Sequence, residues 1–194
     1  DIVQNYNAKN FRKEKVKNKR ALQEELGLAK DDKKFMIGIV SRLTNQKGLD
    51  LIQCVMDEIC TDDVQLVVLG TGDENYENMF RHYDWKYHDR VSAQIYYSEP
   101  LSHKIYAACD AFLMPSLFEP CGLSQLMALR YGTVPIVRET GGLKDTVWPY
   151  NEFEGTGTGF SFANYNAHEM LNIIRYAKHI YYGKKREWNK IVDR

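Results

Sequence analysis

FMIGIVSRLTNQKGLDLIQCVMDEICTDDVQLVVLG, Phe35 to Gly70, holds a strand, a loop, a helix and a second strand in one stretch. FMIGIV and VQLVVLG are short continuous apolar runs, the pattern of strands covered on both faces. Between them LDLIQCVMDEIC reads as one amphipathic helix from Leu49 to Cys60. The pair Asp62-Asp63 precedes a strand instead of ending one, so it reads as a helix-to-strand turn and not as a metal-binding pair. A helix between two apolar strands predicts a parallel pairing, because parallel neighbours need a crossover of this length.

The alternation continues outward. ENYENMFRHYDWKY reads as a helix, VSAQIYY as a strand, Leu101 to about Cys109 as a helix and AFLMPS as a strand. A helix within GLSQLMALRYG, the strand TVPIV and helical segments from His168 to Tyr182 follow. Apolar strands separated by helices imply an α/β fold with a doubly wound, Rossmann-like parallel sheet. In such a sheet ligands bind outside the carboxyl ends of the strands, so the loops after Val40, Leu69, Ile95, Met114 and Val137 are where a site belongs. Towards the N-terminus, FRKEKVKNKRALQEELGL carries six basic residues between Arg12 and Arg20. Glu24 and Glu25 follow, Leu22 and Leu26 are four apart, and Gly27 is a stop signal. It reads as an amphipathic lead-in helix whose basic residues form a solvated face; a nucleic-acid arm fits less well because acids follow and aromatics are missing.

Composition bounds the function. The 194 residues are 44% hydrophobic, enough for one α/β domain, with neither repeat nor low-complexity segment. The 26 basic and 26 acidic residues cancel, leaving no global field for a nucleic acid or an anionic membrane. No apolar run approaches the roughly 20 residues of a membrane span. Cys54, Cys60, Cys109 and Cys121 have neither CxxC nor metal-ligand spacing, so free thiols in a reducing compartment are expected.

Two motifs carry chemistry. Gly70-Thr71-Gly72 follows a strand, but Asn75 stands where a dinucleotide fingerprint needs its third glycine, and no GK[ST] run exists. In SRLTNQKG, by contrast, Arg42 and Lys47 leave the first strand five residues apart and Gly48 opens the next helix. Two cations at a ligand-bearing edge suit a diphosphate, although single surface cations are commonly just solvated. In FEPCGLSQLMALRYG, Gly122, Leu123 and Ser124 offer backbone N–H groups in a first helical turn, an anion seat. Glu119 before it would repel phosphate; it is either an ordinary loop acid or an acceptor for sugar hydroxyls. Cys121 is either a small buried filler or a group beside a ligand.

The combination SRLTNQKGLDLI, YYSEPLSHKIYAACD, LMPSLFEPCGLSQLMALRYGTVPIVRETGGLKDTV and TGFSFANYNAHEML resembles bacterial glycogen synthases and plant starch synthases from Tyr6 onward. The resemblance is to their C-terminal sugar-nucleotide-binding domain, one half of a two-domain GT-B glycosyltransferase. It implies retaining transfer of glucose from ADP-glucose to the non-reducing end of an α-1,4-glucan, with no metal and no cofactor beyond the substrate. Arg42 and Lys47 would hold the diphosphate and stabilise its growing charge. Glu119 would hold glucose hydroxyls, Cys121 would lie beside the sugar, and Gly122, Leu123 and Ser124 would seat the diphosphate. Tyr97 matches an aromatic that packs on adenine, or is a half-buried residue at a strand end. The corner at Thr140 and Gly141 either lines the same crevice or makes a tight turn.

The organisation implied is a lead-in segment over 1–30 and the donor-binding domain over 31–194, with the N-terminal partner domain of the same enzyme lying outside this sequence. Alone, the chain is expected to be inactive. The implied setting is the bacterial cytoplasm, or the plastid stroma in a plant, with ADP-glucose or ADP and the glucan as partners and neither nucleic acid nor membrane. Two other readings share these motifs: a non-catalytic sugar-nucleotide or glucan-binding module, and a related retaining GT-B transferase with another acceptor.

Overall fold

The computed structural model describes residues 11–118 and 123–193. In chain order the elements begin with α1 (Phe11–Leu26), β1 (Phe35–Val40), a single 3-10 turn (Asn45–Lys47), α2 (Leu49–Cys54), α3 (Met56–Ile59) and β2 (Val64–Leu69). Next come α4 (Glu74–Lys86), β3 (Val91–Gln94), α5 (Glu99–Ala108), β4 (Ala111–Met114) and α6 (Leu123–Arg130). Last are β5 (Val134–Arg138), α7 (Gly141–Thr146), β6 (Phe160–Phe162), α8 (Ala167–Gly183) and α9 (Lys185–Asp193).

The strands form one sheet in the order β3-β2-β1-β4-β5-β6, every pairing parallel. This is a doubly wound Rossmann-like sheet, and its order reverses between β1 and β4. Phe35, Met36, Ile37 and Ile39 of β1 and all of β2 are buried, as their continuous apolar runs predict. One sheet face packs on α2, α3, α4, α8 and α9 through a cluster that includes Phe35, Leu66, Phe80, Ile174 and Trp188. The other packs on α1 and α5 through Leu22, Met36, Val67 and Ile105, and on α6 and α7 through Phe112, Ala128 and Leu143.

Several expectations are corrected. The helix read as continuous from Leu49 to Cys60 divides at β-branched Val55, whose φ of −122° and ψ of 23° leave the helical region. The strand VSAQIYY stops at Gln94, because β3 is an edge strand whose one partner, β2, ends opposite it at Leu69. The glycine corner after Thr140 stands outside these corrections: it opens α7, with Gly141 at φ 46°.

The largest correction concerns the basic lead-in helix. α1 is amphipathic and Gly27 ends it at φ 72°, but Lys15 and Lys19 are buried instead of solvated. Lys15 reaches the C-terminal end of α5, where its Nζ donates to the carbonyls of Tyr106 (3.1 Å) and Ala107 (3.0 Å) and to Thr133 Oγ1 (2.8 Å). These are terminal carbonyls that the helix leaves without internal donors, and a cation there also meets the negative end of the helix dipole. Lys19 Nζ lies 2.7 Å from Asp110 Oδ2 and also donates to the carbonyls of Asp32 and Lys34. Asp110 in turn accepts from Met36 N–H at the start of β1 (2.9 Å). The lead-in helix is thereby tied to the amino ends of β1 and β4.

Candidate sugar-nucleotide site at the carboxyl end of the sheet

The loops leaving β1 and β4 meet where the strand order reverses. The β1 loop runs beside the β2 loop: Leu43 N–H donates to Thr71 O (2.9 Å) and Asp73 N–H to Leu43 O (2.9 Å). Gly70 makes this approach possible, since a Cβ there would stand 1.9 Å from Ser41 O. The Gly-Thr-Gly run therefore serves to seat the Arg42 loop.

The β1 loop also docks on the β4 loop. Leu117 N–H donates to Gln46 O (2.9 Å), and Gly48, at φ 80°, lies so close to Pro115 that a Cβ would come within 2.1 Å of its carbonyl oxygen. The result is a cleft of about 170 Å³ lined by Arg42 and Lys47 from the β1 loop, Pro115 and Ser116 from the β4 loop, and Ser124 from the first turn of α6. The Arg42 side chain is exposed and makes no hydrogen bond or ion pair among the described residues; its carbonyl accepts from Ser41 Oγ (3.1 Å). Three residues singled out by sequence, Arg42, Lys47 and Ser124, are thus brought together.

The remaining candidates divide. Glu119, Cys121 and Gly122 lie outside the described residues; the chain on either side of them, Phe118 and Leu123, flanks the cleft's β4 and α6 walls. Tyr97 is 85% exposed on the loop after edge strand β3 and does not line this cleft, nor do Thr140 and Gly141 at the start of α7.

Residues that sequence reasoning missed hold the loops in place. The Tyr165 hydroxyl donates to Asn45 O (3.1 Å) and to Asp50 Oδ1, and the Tyr76 hydroxyl meets Asn45 Oδ1. Burial, with the adjacent Asp50 carboxylate second, raises the Tyr165 hydroxyl far above the usual phenol range, so it stays a donor. Arg138, the last residue of β5, donates through Nε to Ser116 O (2.8 Å), through Nη2 to Leu117 O (2.6 Å) and through Nη1 to Ala163 O (3.2 Å). Its guanidinium also lies over the Tyr165 ring, 5.7 Å from the centroid. An Arg at a carboxyl strand end was the one available signal for this group.

A doubly wound sheet with two cations and a helix start converging at its switch point has the architecture in which α/β domains commonly seat phosphates. Residues 22–191 match the family model described as glycosyl transferases group 1, and the chain belongs to that family. It is 80% identical over 193 residues to a glycogen synthase of Lachnospira eligens and 78% identical over 189 residues to one of Lachnoclostridium phytofermentans. These alignments cover 100% and 97% of the chain, which spans 40% of each relative's length.

Among solved structures, the catalytic domain of starch synthase IV from Arabidopsis thaliana, bound to ADP and acarbose, superposes with a TM-score of 0.91 at 34% identity. The match covers 99% of this chain and 40% of that one. An Anabaena protein, HepE, in complex with UDP and glucose shares the fold at a TM-score of 0.69 and 18% identity, over 98% of this chain and 49% of its own. No described helix is long and apolar enough to cross a membrane. The sheet is thus the Rossmann-like half of a GT-B glycosyltransferase.

Proposed function

We propose that this chain is the donor-binding domain of a glycogen synthase, working with an N-terminal domain of the same enzyme in the bacterial cytoplasm. The reaction is retaining transfer of glucose from ADP-glucose to the non-reducing end of an α-1,4-glucan. The observation that carries this reading is the meeting of Arg42, Lys47 and Ser124 in one cleft at the β1–β4 switch point. Similarity to glycogen synthases supports the reaction, and the ADP bound to the starch synthase supports the base.

As the glycosidic bond to the diphosphate breaks, negative charge accumulates on the leaving group. Arg42 and Lys47, fixed on one short loop, stabilise that charge without reorganising, which lowers the barrier more than it tightens ground-state binding. The reading gives this task to the two side chains and not to a metal. The first turn of α6, with Gly122 and Leu123 before Ser124, supplies N–H donors to the same diphosphate. Glu119 accepts from glucose hydroxyls, Cys121 borders the sugar, Tyr97 packs on the adenine, and Thr140 and Gly141 complete the rim.

The test is glucose incorporation into glycogen by the full-length enzyme with ADP-glucose and UDP-glucose, beside a titration of this chain with ADP followed by amide chemical shifts. We expect incorporation from ADP-glucose, weak ADP binding by the isolated chain with shifts at Arg42 and Lys47, and no transfer by the chain alone. Absent shifts at millimolar ADP would remove the cleft as the donor site.

A further inference from the structure

Every polar atom of the Arg138 guanidinium that is accounted for above is spent on backbone carbonyls, two on the β4 loop and one at Ala163, just past β6. Its guanidinium carbon lies 5.7 Å from the centroid of the Tyr165 ring, whose hydroxyl holds the β1 loop at Asn45 and α2 at Asp50. Arg138 and Tyr165 therefore join the loops that carry the two halves of the cleft: Arg42 and Lys47 on one, the approach to residues 119–122 on the other. A guanidinium suits this because its N–H donors radiate in fixed directions from three nitrogens, a reach that an ammonium's single nitrogen does not have.

Resting on the function proposed above, we infer that Arg138 and Tyr165 are positioning residues for glucosyl transfer. They touch neither phosphate nor sugar; they set the distance between the cations of the β1 loop and the β4 loop at Ser116 and Leu117. Displacement of about 1 Å at a reacting centre can cost about 10²-fold in rate. An error in the width of this cleft acts on turnover more than on donor binding, because the transition-state charge is what the paired loops must match.

The test uses the full-length enzyme with Arg138→Lys, Arg138→Met and Tyr165→Phe, and Arg42→Ala as a control. We expect Arg138→Lys to lower kcat by about 10- to 100-fold per folded molecule, with KM for ADP-glucose changing far less and Arg138→Met no worse than Arg138→Lys. Tyr165→Phe, which keeps the ring but loses the hydroxyl, should give a smaller loss. The Leu117 amide, bonded to Gln46 O across the two loops, should exchange with deuterium faster in both Arg138 variants. Wild-type kcat in Arg138→Lys, in an enzyme that Arg42→Ala cripples, overturns the brace while leaving the function intact. If Arg42→Ala is itself active, Arg42 is not the charge donor that the proposed function assigns, and Leu117 exchange decides alone: faster exchange supports the brace, unchanged exchange overturns it.

Discussion

Cations line clefts at both ends of this sheet, and Lys15 and Lys19 at one end are used in the opposite way to Arg42 at the other. At the amino end a cleft of about 410 Å³ opens among α1, α8 and α9, lined by Lys15, Lys19, Lys185, Asp110, Tyr181 and Trp188. It is larger than the switch-point cleft, yet Lys19 is consumed by Asp110 and two carbonyls, Lys15 by the end of α5, and Lys185 stands 3.4 Å over the Tyr181 ring. At the carboxyl end the cleft is smaller, about 170 Å³, and Arg42 is exposed with no protein acceptor among the described residues. Size does not mark the site. A cation whose partners are already supplied by the chain does structural work, whereas one held at a strand end with its donors open can serve a ligand's charge.

The sharpest way to break this comparison is to remove a cation from each end. Arg42→Ala or Lys47→Ala in the full-length enzyme should lower turnover by about 10² or more, the scale of losing one preorganised charge donor. Melting temperature should hardly move for Arg42→Ala, since that side chain is exposed. Steady-state kinetics beside a thermal melt decides: unchanged turnover in both variants would remove them from the mechanism.

The next effect tests whether the loops must touch. Gly48→Ala places a Cβ 2.1 Å from Pro115 O at a φ of 80°. The left-handed backbone alone costs about 1–3 kcal/mol for a residue with a side chain, and the overlap with a backbone atom adds to it. Urea denaturation should show the loss together with reduced ADP binding. Wild-type stability would mean that the β1 and β4 loops separate freely, and the argument for a fixed cleft would fail.

Much of this was legible in the chain, for physical reasons that differ by element. β1, β2 and β4 are covered on both faces, so continuous apolar runs announce them, and Arg42 and Lys47 were found because their position follows from a strand's end. β6 was not seen: Phe160-Ser161-Phe162 is too short to show a period. Lys15 and Lys19 were misread because a lysine's spacing on a helix is the same whether it meets water or the carbonyls of α5; the acceptors come from residues about 90 positions away. The Arg138–Tyr165 group was missed for the same reason, since Tyr165 meets Asp50 across 115 positions.

The amino end can be tested on stability alone. Lys15→Met keeps much of the buried stem's volume but removes the ammonium's hydrogen bonds to Tyr106 O, Ala107 O and Thr133 Oγ1, although Thr133 Oγ1 still donates to Tyr106 O. Unsatisfied buried acceptors cost about 1–3 kcal/mol, and chemical denaturation at pH 7 should register a loss in that range. A neutral or stabilising result would show that desolvating the ammonium outweighs its hydrogen bonds, and Lys15 would then not be a cap.

The smallest effect is a slope, and it separates the cap's charge from its hydrogen bonds. Burial brings the Lys15 amine down from 10.5 to about 8, with the Asp110 carboxylate opposing that shift. Below about pH 8 the amine is protonated in both folded and unfolded chains, so its contribution there is constant. Between about 8 and 10.5 the unfolded chain still binds the proton that the folded chain has released. The unfolded state binds more protons in that window, so this group makes the folded state more stable as pH rises, by at most about 1.4 kcal/mol per pH unit. Cys109, beside Lys15 and pushed up to about 12 by burial, acts in the opposite sense, because its thiol stays protonated in the folded chain after the unfolded one has ionised. The difference between wild type and Lys15→Met, measured by denaturation at several pH values from 7 to 10, isolates the lysine. The penalty of the substitution should grow with pH above about 8; a penalty that stays level or shrinks there would mean that Lys15 keeps its proton in the folded chain and that its ammonium is as well solvated by carbonyls as by water.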